Sequence, residues 1–269
     1  MKIEIVKPSV ELLLPFNTTP LEYADGQLQL VEMAGRTCYK AEHRITGLSA
    51  DRDKFIAGLI KRGHLSVLEH GSLTVRLVGS RSMTHQLVRH RLAAYSQESQ
   101  RYCNYTGEKF GDTLQVIRPI TIDGATIDLP GGGVNNPDLS YNNYRWDAAM
   151  QTAADEYEKL VKGGVPPEDA RSVLPNAAKT EIAMTQNLRQ WRHVFNRRCD
   201  IHAQWEIRAL MCATLALFQT HVFEVFDDFE LVPGEPNEGI NPINANELRV
   251  EIPWSTVGAV PRIKEMRPE

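Results

Sequence analysis

The chain has 269 residues, and its 30 Lys and Arg against 34 Asp and Glu leave a net charge of −4. That length supports one large or two small domains with a real core, and the sign of the charge argues against general attraction to nucleic acid, so anion binding has to be local. The four cysteines (Cys38, Cys103, Cys199, Cys212) form no CxxC pair; with no secretory leader in MKIEIVKPSV and no apolar run of membrane length, a soluble cytoplasmic protein without disulfides is expected.

The alternation in KIEIVK predicts a first strand over Lys2–Lys7. A turn-rich piece with Asn17, Pro20 and Gly26 follows. Apolar spacing then predicts a helix from Leu28 to Tyr39, and a second over Asp51–Arg62 with Asp51 as its cap and Gly63 past its end. SLTVRLVG predicts a strand that puts Leu73, Val75 and Leu77 on one face. Ser80 starts a helix that runs to about Arg89. Gly124–Tyr141 contains PGGGVNNPD, a surface loop that lacks the Gly-Lys-Ser/Thr ending of a phosphate loop. Further helices are expected over Trp146–Lys162, from Pro166/Pro167 to near Pro175, and over Leu188–Phe226 with a break near Arg198–Asp200. A proline-rich tail begins at Pro233 and holds a possible strand over Glu247–Ile252. Helix blocks with a few separated strands predict an α+β fold.

Two stretches gather cations. RHRLAAYSQESQRY places Arg89, His90, Arg91 and Arg101 in one window with Glu98 as the only acid. Gln86, Arg89 and His90 share a face if the helix continues, whereas Arg91 then points elsewhere. Guanidinium groups are always charged and grip phosphate as planar forks. The plain alternative is a solvated cationic helix end, but Leu87, Val88, Leu92, Ala93 and Ala94 give the stretch an apolar setting in which charges need partners. QNLRQWRHVFNRRCD is the second stretch. Its Arg189 and His193 share one helix face and Asn187 and Arg198 another, while Trp191, Val194 and Phe195 bury part of it. In GHLSVLEH the residues His64, Glu69 and His70 suggest metal ligands at first sight, yet there is no HExxH spacing and no metal is expected. Arg171 stands alone in PEDARSVLP, where a salt bridge to Glu168 or Asp169 is the ordinary account. Neither Cys103, Cys199 nor Ser99 has a recognisable base and orienter, so no covalent nucleophile is assigned.

Together these stretches resemble the flavin-dependent thymidylate synthases. The family signature is Arg-His-Arg, seven residues, then Ser. Here it is Arg89-His90-Arg91, LAAYSQE, then Ser99, continued by QRY. GHLSVLEH upstream and ARSVLP, QNLRQWRH and RRCDIHAQWEI downstream follow in family order, so the resemblance covers roughly Met1 to Phe226. It implies a synthase domain over residues 1–232 with a C-terminal extension over 233–269. It also implies a central, mostly antiparallel sheet flanked by helices, with long helices packing between the subunits of a homotetramer whose sites are shared between chains. The implied reaction makes dTMP from dUMP, with methylenetetrahydrofolate as carbon donor, FAD as hydride carrier and NADPH as reductant.

The roles carried over are these. Gln86, Arg89, Gln97, Ser99, Gln100, Arg101 and Arg171 would hold dUMP, with Arg101 and Arg171 on the phosphate, and Arg198 would face the uracil ring as the catalytic residue. His64, Ser66, Glu69, Arg89, His90, Arg91, Gln97, Asn187, Arg189 and His193 would hold FAD. Ser96 and Gln97 stand where many members have Asn and Glu, and His193 where some have Asn; Gln97 is neutral where Glu carries charge. A related enzyme leaving a hydroxymethyl group on dUMP is an alternative that product mass separates. A non-catalytic nucleotide- or RNA-binding module is another, which would show steep salt dependence.

Overall fold

The computed structural model describes residues 1–122, 138–232, 248–252 and 262–263. In chain order the elements are β1 (Lys2–Ile5), β2 (Ser9–Leu12), α1 (Pro20–Cys38), α2 (Ser49–Lys61), β3 (Ser72–Ser80), α3 (Arg81–Leu87), β4 (Ala94–Gln97), β5 (Thr113–Val116), α4 (Leu139–Lys162), α5 (Pro167–Ala170), β6 (Lys179–Asn187), α6 (Leu188–Arg198), α7 (Trp205–His221), α8 (Phe223–Phe226), β7 (Leu231–Val232), β8 (Arg249–Glu251) and β9 (Arg262–Ile263). The central sheet runs β4-β6-β3-β2-β8 with every neighbouring pair antiparallel. β1 lies outside it and pairs in parallel with β5. The α+β expectation with a mostly antiparallel sheet is met.

Period-two alternation sets which face of this sheet is covered. Leu73, Val75 and Leu77 on β3 and Ile182 and Met184 on β6 are fully buried, while their alternating neighbours are partly exposed. α6 and α7 close over the buried face through an aromatic cluster. Trp191 and Phe218 meet edge to face with centroids 5.0 Å apart, and Phe195 and Phe226 do so at 5.5 Å. α7 is buried almost all round from Glu206 to Leu215, as a helix enclosed by the core should be.

Several boundaries differ from the sequence reading, each for a local reason. α1 begins at Pro20 rather than Leu28, because Thr19 and Glu22 form a capping box and proline suits the first helical position. α2 begins at Ser49 after Leu48, so Asp51 is not its cap; it lies in the first turn and accepts the Thr46 hydroxyl at 2.8 Å. Gly63 does follow the helix, with φ +74. α4 starts at Leu139 on the Asp138 cap, seven residues before Trp146. The break expected near Arg198–Asp200 separates α6 from α7. β2, β4, β5, β6, β7 and β9 were not anticipated. Most of the expected Gly124–Tyr141 loop lies outside the described residues, as does most of the tail after Pro233. Within that tail, β8 falls inside the expected Glu247–Ile252 strand and pairs with β2 at the sheet edge. Among the described residues no helix is long and apolar enough to cross a membrane.

Gly71 marks where the chain enters β3 under α6. A Cβ there would lie 2.7 Å from Leu188 Cδ1, 3.2 Å from Val31 Cγ2 and 3.3 Å from the Gln27 carbonyl. Gly71→Ala is therefore expected to destabilise the fold by about 1–3 kcal/mol in urea unfolding; an unchanged midpoint would contradict this packing.

Candidate active site

Ser80 ends β3 and caps α3, its Oγ accepting the Met83 N–H at 3.1 Å. The helix stops at Leu87, not Arg89, so Arg89 and His90 do not share the helix face expected of them. The stop has a clear cause. The Tyr95 hydroxyl lies 2.9 Å from the Leu87 carbonyl and 2.8 Å from that of His90, capturing the end of the turn. His90 folds inward and is 9% exposed. Arg89 and Arg91 point outward, and their side chains make no hydrogen bond or ion pair with the described residues. Glu98 does not neutralise them. Its carboxylate accepts from Lys179 Nζ at 3.1 Å and from the Tyr105 hydroxyl at 2.9 Å. The cationic window is thus left uncompensated by its own acid.

Arg198, at the end of α6, reaches this segment across more than a hundred residues. Its Nε donates to His90 Nε2 at 2.9 Å and its Nη2 to the Gln86 carbonyl at 3.3 Å. A guanidinium only donates, so His90 must present a bare Nε2 and be neutral. Burial first, then the nearby Arg198 and His193, pull the His90 pKa down from 6.5 to about 4. The two imidazole rings meet edge to face with centroids 6.2 Å apart. Burial also lowers the Arg198 pKa from its usual value. Two donor groups of Arg198 are engaged, and the rest of its fork is available to a ligand.

The other expected nucleotide residues form a second group. Arg101 Nε donates to the Glu168 carboxylate at 2.6 Å, and Arg171 Nε donates to the Glu168 backbone carbonyl at 2.9 Å. Glu168 therefore joins two arginines 70 positions apart, although it contacts Arg171 through its main chain rather than by the salt bridge considered above. Gln97 Nε2 donates to Thr84 Oγ1 at 3.0 Å and Thr180 Oγ1 at 3.2 Å, so its amide nitrogen is engaged by the scaffold. Ser99 Oγ accepts the Arg101 N–H at 3.3 Å and has no base beside it among its hydrogen bonds. Gln100 is buried with its Nε2 unpartnered among the described residues.

Four of the ten expected flavin residues border a cavity of about 1180 Å³, whereas His64, Ser66, Arg89, His90, Arg91 and Gln97 are not among its lining residues. Glu69, Asn187, Arg189 and His193 line it, with Lys61 and Asn196. Arg189 pairs with Glu69 at 2.6 Å, both about half exposed. Asn187 caps α6 through its Oδ1 on the Gln190 N–H at 2.8 Å. Ser66 is exposed on the 3-10 turn over Leu65–His70, and His64, just before it, bonds through Nδ1 to the Tyr39 hydroxyl at 2.9 Å. Arg192, also on α6, makes a fork on Asp228 at 2.7 and 2.6 Å. Gln186, one residue before Asn187 but on the opposite, buried face of β6, has both side-chain polar atoms unpartnered among the described residues and does not line this cavity.

Sequence reading missed Tyr95, Lys179 and the two threonines under Gln97, because each acts through a partner far away in the chain. Of the four cysteines, Cys38 is exposed and Cys103 half-buried. Cys199 is fully buried against Cys212, and burial pushes its thiol well above the usual range. Among the described residues no three His, Cys, Asp or Glu side chains are grouped to hold a metal ion.

The fold is one already seen in a nucleotide-modifying enzyme. A UMP/dUMP methylase from Streptomyces cacaoi, crystallised with 5-Br dUMP, superposes with a TM-score of 0.65 over 84% of this chain and 96% of that one, at 22% identity. The Thy1 family model, thymidylate synthase complementing protein, matches residues 21–222. The flavin-dependent thymidylate synthase of Geobacter sulfurreducens is 40% identical over 213 residues, covering 77% of this chain and 84% of that protein. That of Mycobacterium sp. (strain JLS) is 38% identical over 223 residues, covering 78% and 83%. The chain belongs to the flavin-dependent thymidylate synthase family.

The His90 contact predicts a titration. With its folded pKa near 4 and an unfolded value of 6.5, the native state binds fewer protons than the unfolded chain between those values. Stability from this group is present above about pH 6.5 and is lost as pH falls towards 4. NMR of the His90 ring should give a midpoint near 4; a midpoint near 6.5 would contradict the contact with Arg198.

Proposed function

We propose that the protein methylates dUMP to dTMP, taking the carbon from methylenetetrahydrofolate and reducing equivalents from NADPH through FAD. The observation that carries this reading is the half-buried Arg198–His90–Gln86 contact, set beside guanidinium groups that nothing in their own segment neutralises. The residues fit a bound dinucleotide. The α6 side of the cavity carries Arg189, Gln190, Arg192, His193 and Asn196 with Asn187 at the helix cap, and its two arginines, now held by Glu69 and Asp228, are forks that a pyrophosphate can take over. FAD, when bound, supplies hydride-transfer chemistry that side chains lack.

The chain's own groups do the rest. Arg101 and Arg171, gathered at Glu168, hold the nucleotide phosphate, with Glu168 giving up Arg101 when the stronger anion arrives. Gln86, Arg89, Gln97, Ser99 and Gln100 complete the dUMP subsite. Arg198 faces the uracil and stabilises negative charge as it builds on the ring, making C5 the nucleophilic carbon without a cysteine adding to C6. His90 keeps Arg198 aimed without competing for charge, because it stays neutral through the physiological range. His64, Ser66, Glu69, Asn187, Arg189 and His193, together with Arg89, His90 and Arg91, hold the cofactor.

Arg89 and Arg91 point out of the subunit, which supports a homotetramer in which these side chains serve sites shared between chains. Residues 1–232 form the synthase unit and 233–269 an extension, whose β8 lies at the sheet edge, and the protein works in the cytoplasm.

The test is an anaerobic assay with dUMP, methylenetetrahydrofolate and NADPH, following flavin oxidation and product mass together. dTMP is expected; a hydroxymethylated product, or a colourless protein with no turnover, would overturn the reading. Arg198→Ala should lower kcat about 10²–10³-fold. Ser99→Ala should keep measurable activity, and a folded, dUMP-binding but wholly inactive Ser99→Ala variant would contradict its role as a binding residue.

A further inference from the structure

A buried carboxylate sits where β3 turns into α3. Glu206, in the first turn of α7, is 2% exposed. One of its oxygens accepts the Ser80 N–H at 2.6 Å and the other accepts the Ser80 hydroxyl, also at 2.6 Å. The same Ser80 Oγ accepts the Met83 N–H and so caps α3. The corner is tight: a Cβ on Gly79 would lie 2.6 Å from Met83 Cε and 3.1 Å from Glu206 Oε1. Among the described residues no cation pairs with this carboxylate, and burial raises its pKa.

An ionisable group buried among Met83 and Leu210 is a costly way to fill a core, and an apolar side chain would fill it at lower cost. What the carboxylate supplies is direction. Two acceptors on one rigid plane fix both donors of a single residue, and with them the angle at which α3 leaves the sheet. α3 is a short arm that carries much of the site. Thr84 receives the Gln97 amide at 3.0 Å, the Gln86 carbonyl receives Arg198 at 3.3 Å, and the chain after Leu87 delivers Arg89, His90 and Arg91. The Arg81 and Ser82 N–H groups tie the start of this arm to the Ala178 and Asn176 carbonyls at 3.0 and 3.1 Å, and the Glu206 carboxylate ties it to α7.

We propose that Glu206 is a positioning residue for the nucleotide subsite: through Ser80 it aims α3 so that Gln86 and His90 meet Arg198. The kinetic arm of the test rests on the proposed dUMP activity; the spectroscopic arm does not.

Glu206→Ala, Ser80→Ala and Glu206→Gln would be compared with the wild-type holoenzyme in two measurements. The first is KM for dUMP against kcat. The second is the NMR titration of the His90 ring, assigned with a His90→Gln control, with Arg198 and His193 of α6 as the charged and titratable groups facing that ring. The two alanine variants should raise KM for dUMP about tenfold and lower kcat with it, since the misaimed arm loosens both the nucleotide contacts and the alignment of Arg198. They should also move the His90 midpoint up towards that of a free imidazole as Arg198 loses its partner. Glu206→Gln keeps an acceptor for the Ser80 N–H and an amide for its hydroxyl, so it should stay close to wild type in both. If Glu206→Ala fails to fold, Ser80→Ala and Glu206→Gln decide. Folded alanine variants with wild-type KM and an unmoved His90 titration would overturn the proposal, because a merely structural carboxylate would lower thermal stability and leave both readouts in place. If the wild type turns over no dUMP, the proposed activity fails, and the His90 titration alone judges Glu206.

Discussion

The hydrogen bond from Arg198 to His90 is the constraint on which the site depends. A guanidinium cannot accept and an imidazolium cannot accept, so the contact exists only while His90 is uncharged. Burial and two neighbouring groups of α6 keep it so. The bond ties the end of α6 to the segment that follows α3, two pieces of chain 108 positions apart. The Tyr95 hydroxyl then fixes that segment from β4, on the carbonyls of Leu87 and His90. Remove the neutral imidazole and the half-buried guanidinium loses the acceptor that aligns its Nε.

Around this contact the cations fall into two kinds. Arg52, Arg192 and Arg36 are engaged by carboxylates and hold helices to one another or, for Arg36, stay within α1. Arg89 and Arg91 are engaged by nothing described, and Arg101 and Arg171 meet at one exposed glutamate. Acids do reach these cations, Glu69 at Arg189, Asp228 at Arg192 and Glu168 at Arg101, but Glu98 is held by Lys179 and Tyr105 and leaves Arg89 and Arg91 to solvent. Local geometry, not net charge, decides what the site attracts.

Much of this was legible in the sequence, and what was not has physical reasons. Helices with a clear apolar stripe were found, and so was the break between α6 and α7. α1 was cut short because Pro20 and Gly26 read as a turn, although Thr19 and Glu22, three apart, are a capping-box signal that favours the longer helix. β6 alternates faithfully, but Lys179, Glu181 and Ala183 on its outer face are poor strand formers, and only pairing on both sides holds it as a strand. The arginines of the site were visible as residues; their partners were not. Glu168 lies 67 positions from Arg101 and Asp228 lies 36 from Arg192, and no periodicity links such pairs. Glu206 stood in the quoted RRCDIHAQWEI block, yet its contact with Ser80 crosses 126 positions.

The central claim is that these guanidinium groups are held ready for the phosphate of a nucleotide. The most direct test compares dUMP with deoxyuridine, by calorimetric titration into the FAD-loaded protein. The account predicts that the phosphate tightens binding at least about 100-fold, with most of that gain lost in Arg101→Ala and Arg171→Ala. Equal affinity for the two ligands would contradict it.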